Sequence, residues 1–213
     1  MLILDKKNNL KMLLVYITAI IMAFCLLLSS PLSPFGQGFS KIDSSVFRTI
    51  AMQMDKGYMP YKDTFDHKGP LLYLINFLGL KINSHWGVWL IEFVFMTVNF
   101  MVLFFTSKLL NKSYFISFVS IIPSILFLYS LEVYEGFNGG NYAEDYILPF
   151  LMISLCLFVD YILNDRVTNV RIAICGMCCA CAMMLKFNFA MVWFVFGLII
   201  LLNEIKNKNY ILK

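Results

Sequence analysis

Long apolar runs are the feature that most constrains the fold of this chain. They lie at about residues 12–30, 86–107, 113–131 and 146–163, and a longer apolar stretch covers 171–205. A helix needs about 20 apolar residues to cross a hydrocarbon core roughly 30 Å thick, so each of the first four runs is long enough to span a membrane. Hydrophobic residues make up 60% of the 213 residues and charged residues 14%, whereas soluble domains are nearer 45–50% and about 25%. The sequence therefore predicts an all-α polytopic membrane protein.

The stretch 171–205 is too long for one membrane helix, because a single helix of that length would extend about 52 Å. The polar tripeptide Lys-Phe-Asn at 186–188 interrupts it, which predicts a tight helical hairpin with this tip at the interface. The bundle is then expected to have about six spans. The apolar piece Pro70–Ile82 has 13 residues, fewer than a span requires, and is predicted to be an interfacial or re-entrant helix.

The distribution of positive charge predicts the orientation of these spans. Ten basic residues fall on one side if six spans alternate: Lys6, Lys7, Lys11, Lys108, Lys112, Arg166, Arg171, Lys206, Lys208 and Lys213. Lys and Arg mark the cytoplasmic side, so both termini are predicted to be cytoplasmic in the plasma membrane. The charged segment Met1–Leu10 ahead of the first apolar run indicates an uncleaved signal anchor. Outer loops at about 31–85 and 132–145 then extend from a single membrane domain over 1–213.

The first outer loop contains a helical pattern over residues 42–54. Its apolar stripe consists of Ile42, Val46, Phe47, Ile50, Ala51 and Met54. This spacing predicts an amphipathic helix lying on the membrane and ending near Gly57. Asp43, at its start, belongs to the pattern Ser-Lys-Ile-Asp at 40–43, so it has a structural interpretation as a helix cap and a functional one as an exposed carboxylate.

The segment YKDTFDHKGP at 61–70 gathers ionisable residues just before the predicted apolar helix. The prolines around it bias the preceding residues away from helix, which predicts an extended segment. Lys68 beside the free N–H groups of a helix N-terminus can bind a lipid phosphate, or it can extend to the headgroups without a specific ligand. Asp63 and Asp66 can equally be solvated carboxylates that balance neighbouring lysines. The candidate substrate-binding residues of this segment are Tyr61, Asp63, Asp66, His67 and Lys68.

The second outer loop is acidic. It holds four carboxylates and no Lys or Arg: Glu132, Glu135, Glu144 and Asp145. Glu144 and Asp145 are predicted to lie in the first turn of the next helix, where the helix dipole stabilises a carboxylate. Alternatively, this loop folds against the first and offers a second carboxylate to a shared cavity, as a general base or as a ligand for a divalent cation. Glu92, near the start of a span, is predicted to extend to the interface.

Two other classes of site are disfavoured. Cys175, Cys178, Cys179 and Cys181 lie within one apolar stretch without a second ligand pair or a nearby histidine, so they are interpreted as packing residues. Basic and aromatic residues are not interleaved in a patch, which argues against nucleic acid as a partner.

The order of these motifs resembles the amino-terminal half of bacterial GT-C glycosyltransferases, the membrane relatives of protein O-mannosyltransferases and lipid A aminoarabinose transferases. The resemblance covers roughly residues 12–205, and it rests on IDSSVF, GYMPYKDTFDHKGPLLYLIN and GGNYAEDYILPF. It implies inverting transfer of a sugar from a polyprenyl-phosphate donor to a lipid, glycan or protein acceptor at the outer membrane face. By the same resemblance, Asp43 is the base or acceptor-orienting group, Lys68 contacts the lipid phosphate, and Glu144, with Asp145, is the second acidic position.

The chain departs from that family in three respects. Ser44 follows Asp43 where many relatives carry a second acidic residue, and His67 stands where several relatives are acidic, which weakens the expectation of a metal site. Family members are usually longer, so we expect this chain to be the amino-terminal half of a larger architecture or to have a partner subunit. The alternative hypotheses are a non-catalytic polytopic protein, such as a transporter component or accessory subunit, and an inactive truncated relative. A transporter would place polar residues near the bilayer midplane, whereas the predicted spans are almost free of them.

Overall fold

The computed structural model describes residues 6–36, 42–124, 126 and 140–211, and their regular elements are helical. In chain order the helices are α1 (Lys6–Leu27), α2 (Ile42–Asp55), α3 (Pro70–Ile82), α4 (Gly87–Asn111), α5 (Tyr114–Val119), α6 (Ala143–Asn164), α7 (Asn169–Leu185) and α8 (Ala190–Ile211), with a 3₁₀ turn over Phe187–Phe189 between the last two. The predicted all-α class is confirmed for the described residues.

Within the described residues, four helical segments are long and apolar enough to cross a membrane: Leu10–Leu27, Gly87–Asn111, Ala143–Asn164 and Phe187–Lys206. They correspond to three of the four predicted apolar runs and to the second arm of the predicted hairpin. The first arm, α7, has 17 residues. In the run predicted at 113–131 the helix is described over Tyr114–Ser124, and residues 127–131 lie outside the described part of the chain.

Helix α4 is the central element and packs against α1, α3, α5 and α6. Two buried clusters form around it. The first joins α1 to α4 and includes Ala23, Leu27, Met96, Phe100 and Phe104. The second joins α2, α3, α6 and α7 and includes Phe47, Leu72, Tyr73, Ile147 and Leu185.

Helix α2 forms where the apolar stripe predicts it, and three residues of that stripe, Phe47, Ile50 and Ala51, are buried. Ile42 and Val46 are exposed, whereas Ser44 and Phe47 are buried. The reason is that α2 packs on α3, so the buried face is set by contact with another helix as well as by the apolar stripe. The helix is followed by Gly57, whose φ is +88°, in the left-handed region that glycine tolerates best. The predicted end of α2 is therefore confirmed.

The segment before α3 is not extended, contrary to the prediction. Its backbone closes a turn in which the N–H of Tyr61 donates to the Thr64 carbonyl oxygen at 2.7 Å. The Asp63 carboxylate accepts the N–H of Met59 at 2.8 Å. A proline restricts only itself and the residue before it, so the side chain of Asp63 is free to organise the rest of the segment into a turn.

The corner between α7 and α8 is tied to the beginning of α3. The N–H of Gly69 donates to the carbonyl oxygen of Leu185 at 3.0 Å. A Cβ on Gly69 would lie only 2.0 Å from the Met184 carbonyl oxygen, so the contact requires glycine. At the same end of the molecule, the indole N–H of Trp89 donates to the carbonyl oxygen of Leu27 at 2.9 Å.

These contacts define one end of the bundle, where α1 and α7 terminate and α3, α4 and α6 begin. We call it the loop end. Both predicted outer loops reach it, because each supplies residues to the hydrogen-bond network described next.

Candidate functional site

A buried network of amides and hydroxyl groups is centred on Asn141 at the loop end. The Asn141 Nδ2 group donates to Ser44 Oγ at 2.8 Å and to Asn76 Oδ1 at 2.8 Å. Its Oδ1 accepts from Asn76 Nδ2 at 3.1 Å and from the hydroxyl group of Tyr146 at 2.8 Å. The φ of Asn141 is +63°, a conformation that asparagine adopts more readily than most residues. The network therefore joins the second outer loop to α2 and α3, as the two-loop hypothesis requires.

Glu92 of α4 is buried beneath this network, which corrects the prediction that it extends to the interface. Its exposed fraction is 0%. Its Oε1 accepts the N–H of Asn141 at 2.8 Å. Glu92 therefore contacts the loop that precedes α6 rather than the membrane surface.

Glu144 and Asp145 of the second loop have separate structural roles. Both lie in the first turn of α6, as predicted. Asp145 accepts the N–H of Tyr142 at 3.0 Å and so caps the helix. Glu144 forms an ion pair with Lys186, and about a third of each side chain is exposed, 31% and 30%. Lys186 was predicted only as part of a hairpin tip, so its pairing with Glu144 is a new feature of the site.

The segment before α3 forms a second polar cluster, around Asp66. Its carboxylate accepts from the Tyr73 hydroxyl group at 2.9 Å and from the N–H of His67 at 2.7 Å, and His67 Nδ1 lies 3.1 Å from it. The Tyr61 hydroxyl group donates to the carbonyl oxygen of Lys68 at 2.6 Å. Burial, followed by the hydrogen bond to Asp66, raises the pKa of Tyr73, so the phenol remains a donor to the carboxylate at neutral pH.

The Lys68 side chain is half-buried, and no ion pair in the described part of the chain engages its ammonium group. The helix N-terminus beside it is less open than predicted. Pro70 has no N–H, and the N–H groups of Gly69 and Leu72 already donate to the carbonyl oxygens of Leu185 and Gly69. An anion at this position would therefore be held mainly by the lysine side chain.

Asp43 lies in the first turn of α2, and its side chain is exposed. The cap predicted at 40–43 lies partly outside the described residues. The rings of Phe47 and Tyr73 contact each other near the starts of α2 and α3, with centroids 6.5 Å apart. Asp55 and Lys81 pair near the ends of the two helices. Helices α2 and α3 therefore run in the same direction. Asp43 comes shortly before Phe47 in the chain, and the segment with Lys68 comes shortly before Tyr73, so both lie at the same end of this helix pair.

The described residues contain no group of three His, Cys, Asp or Glu side chains that could hold a metal ion. This includes the cysteines of α7, all of which are free thiols. A cavity of about 460 Å³ lies elsewhere, between α6, α7 and α8, with Arg166 and Arg171 among its lining residues. None of the predicted site residues lines it.

The structure thus brings the two loops together but does not join all the predicted residues into one group. Asp66 and His67 contact each other, whereas Glu144 pairs with Lys186 and Asp145 caps the start of α6. Sequence analysis missed Asn76, Asn141 and Lys186. The available signals were polar residues within otherwise apolar helices and, for Asn141, its position after two glycines.

Comparison with known proteins identifies the family. Residues 5–212 match the family model described as "Putative competence-induced protein Ccs4 N-terminal domain". No curated protein and no solved structure matches the chain. Because the match covers nearly all of the 213 residues, the chain belongs to the family of the competence-induced protein Ccs4 N-terminal domain.

Proposed function

We propose that this chain is the loop-bearing half of a GT-C-like membrane glycosyltransferase, which moves a sugar from a polyprenyl-phosphate donor to a lipid, glycan or protein at the outer membrane face. The observation that supports it best is the meeting of both predicted outer loops at one end of the bundle, through the bonds of Asn141 to Ser44 and Asn76. The proposal includes six spans, cytoplasmic termini and a plasma-membrane location.

Each proposed role follows from the chemistry of inverting transfer. The acceptor hydroxyl group must lose its proton as it attacks the anomeric carbon, and the exposed Asp43 carboxylate is the proposed base. Negative charge grows on the departing phosphate, and Lys68, whose carbonyl oxygen is held by Tyr61, is its proposed contact. Glu144 orients Lys186 through their ion pair. Asp63, Asp66 and His67 shape the segment that carries Lys68.

The family description names neither sugar transfer nor an acceptor, and it bears on the proposal only through the words "N-terminal domain". The matching model is described as an N-terminal domain, which supports a carboxy-terminal part that completes the donor site. The term "competence-induced" states when such proteins are made and not what chemistry they perform, so it does not favour a particular acceptor.

A first experiment measures binding of polyprenyl phosphate without a sugar, because the sugar is not specified. The chain with its carboxy-terminal part is purified in detergent, and binding is measured by native mass spectrometry. Lys68→Met should weaken binding about 10- to 100-fold, as expected for loss of a hydrogen bond to a charged group. Lys62→Met, in the same segment and exposed, is the matched control. Equal binding by both variants would remove Lys68 from the site.

A second experiment tests the base. Transfer from a panel of polyprenyl-phosphate sugars is assayed with Asp43→Asn, and Asp55→Asn, at the other end of α2 and also exposed, serves as control. We expect turnover to fall by about 100-fold or more in the first variant only, because a general base contributes about 10²–10⁴-fold. Full turnover by a folded Asp43→Asn variant would contradict the proposed role.

Two observations favour the alternative of a non-catalytic accessory subunit. Glu144 and Asp145 are already engaged, by Lys186 and by the α6 cap. In addition, none of the apolar window of α8 is buried within the chain, so α8 can contact other membrane helices. The panel assay distinguishes the two functions, because an accessory subunit would support transfer only when its partner is present and would tolerate Asp43→Asn.

A further inference from the structure

The cavity of about 460 Å³ between α6, α7 and α8 has an apolar body. Most of its wall consists of aliphatic and aromatic side chains, among them Leu157, Phe158 and Phe196. At its inner end the indole N–H of Trp193 donates to Ser154 Oγ at 3.0 Å, which joins α8 to α6. The volume lies within the range of about 300–1,000 Å³ that is usual for ligand pockets.

The mouth of the cavity is basic. Arg166 and Arg171 line it where the chain passes from α6 to α7, and the two acidic residues of this corner, Asp160 and Asp165, are not among the lining residues. Arg171 forms an ion pair with Asp160. Arg166 is exposed, and no ion pair in the described part of the chain engages its guanidinium group. One positive charge at the mouth is therefore available to an anion.

The cavity extends from the end of the bundle opposite the loop end toward the middle of the helices. At 1.5 Å per residue, its lining residues cover about 12 Å of α7, from Arg171 to Cys179, and about 10 Å of α6, from Ser154 to Tyr161. Half of a hydrocarbon core roughly 30 Å thick is about 15 Å. The apolar body therefore has a depth similar to one leaflet, and the arginines lie at the level of its headgroups.

The chemistry of the cavity selects its occupant. An apolar cavity offers water few hydrogen-bond partners, and an unfilled one forfeits dispersion contacts along its wall. A lipid acyl chain fills such a space and brings a phosphate to the mouth, where arginine binds it through parallel N–H donors. A helix of another protein would have to supply a carboxylate for Arg166 or bury its charge. Basic pockets between membrane helices are typical sites for anionic headgroups.

We propose that this cavity binds one anionic phospholipid, whose acyl chain lies between α6, α7 and α8 and whose phosphate contacts Arg166. Asp160 holds Arg171 beside the same headgroup. By the predicted orientation, the lipid belongs to the cytoplasmic leaflet, where the surface potential is negative. The site lies at the opposite end of the bundle from Lys68, and the proposal does not depend on sugar transfer.

Native mass spectrometry of the full chain in detergent tests the ligand. The probes are dioleoylphosphatidylglycerol, dioleoylphosphatidylcholine, which has the same acyl chains but no net charge, and inorganic phosphate. We expect one tightly bound phosphatidylglycerol per chain, with an affinity at least about fivefold higher than that of phosphatidylcholine, and no retained inorganic phosphate. Equal binding of the two lipids, or retention of inorganic phosphate alone, would overturn the proposal. Absence of bound lipid would also overturn it and would favour a partner helix in the cavity.

A first pair of substitutions tests the headgroup contact. Arg166→Gln should weaken phosphatidylglycerol binding about fivefold or more, because one basic side chain that contacts the phosphate is lost. Lys112→Gln is the matched control, since Lys112 is exposed, follows α4 at the same end of the bundle and does not line the cavity. Equal weakening by both variants would show that general surface charge attracts the lipid, and it would refute the contact with Arg166.

A second pair tests the position of the acyl chain without changing charge. Gly176 lines the cavity, and a Cβ at this position has no atom within 4 Å. Gly176→Leu should therefore leave the helix intact but overfill the occupied cavity, which should weaken phosphatidylglycerol binding about fivefold or more. Gly197→Leu is the control, because Gly197 in α8 is equally open and does not line the cavity. Equal binding by these two variants would refute an acyl chain in the cavity.

Discussion

The paired amides of Asn76 and Asn141 provide the sharpest prediction about how the loop end is held together. Each amide donates to the other, at 3.1 and 2.8 Å, and both side chains are fully buried. Asn141 is replaced by glycine, because its φ of +63° would strain alanine but not glycine. Asn76 lies within α3 and is replaced by alanine, which keeps the helix. The two single variants and the double variant form a thermodynamic cycle.

The magnitude follows from the hydrogen bonds that are lost. Asn141→Gly removes two bonds to Asn76, one to Ser44 and one from Tyr146. A net hydrogen bond contributes about 0.5–1.5 kcal/mol, and a buried donor left without a partner costs about 1–3 kcal/mol. We therefore expect Asn141→Gly to lower the free energy of unfolding by about 3–5 kcal/mol and Asn76→Ala by about 2–4 kcal/mol. Since both variants remove the same amide pair, the double variant should lose about 1–3 kcal/mol less than the sum.

Equilibrium unfolding in detergent micelles, followed by circular dichroism and tryptophan fluorescence, measures these values. Asn188→Ala is the control, because Asn188 is exposed in the 3₁₀ turn and should change stability by less than about 0.5 kcal/mol. Additivity of the two substitutions within about 0.5 kcal/mol would show that the amides do not act as a pair. A loss below about 1 kcal/mol for Asn141→Gly would show that the network does not hold the loop, since one net hydrogen bond alone accounts for that much.

Two further predictions concern packing. Gly69→Ala should lower stability by about 2–4 kcal/mol, since the new Cβ would overlap the Met184 carbonyl oxygen and break an adjacent hydrogen bond. Gly176→Ala is the control, because a Cβ at this position has no atom within 4 Å. It should raise stability by about 0.5–1 kcal/mol, since alanine is the better helix former. Equal effects of the two substitutions on thermal unfolding would contradict the close contact between Gly69 and Met184. Trp193→Phe should cost about 1–3 kcal/mol, since it removes the indole bond to Ser154 Oγ at 3.0 Å and part of the packing of the larger ring; an unchanged melting temperature would show that neither contact holds α8.

Local sequence signals were sufficient to predict much of the helical framework. The bounds of α3 agree with the prediction because a proline occupies its first position and the apolar run ends with it. The end of α2 agrees because Gly57 supplies a positive φ. The turn at 59–64 was missed, since it depends on the Asp63 carboxylate accepting the N–H of Met59. No periodic pattern in the sequence indicates that contact.

The site was predicted less completely because its contacts join distant segments. The acidic first turn of α6 could be predicted from helix electrostatics, but not that Glu144 would pair with Lys186. The burial of Glu92 could not be predicted from its apolar helix, since its partner Asn141 lies 49 residues further along the chain. A single polar residue in a membrane helix indicates that a partner exists without indicating where it lies.

The polar network has a further physical consequence in a membrane setting. Lipid tails are as apolar as leucine side chains, so helix association in a bilayer depends on close packing and on directional polar contacts more than on burial of apolar area. The bonds of Asn141 reach residues 49, 65 and 97 positions away, on three helices. Apolar surfaces of these helices could slide or rotate at small cost, whereas each of these bonds has a defined distance and direction. The network therefore fixes the relative positions of α2, α3, α4 and α6, and these directional bonds set the geometry of the loop end.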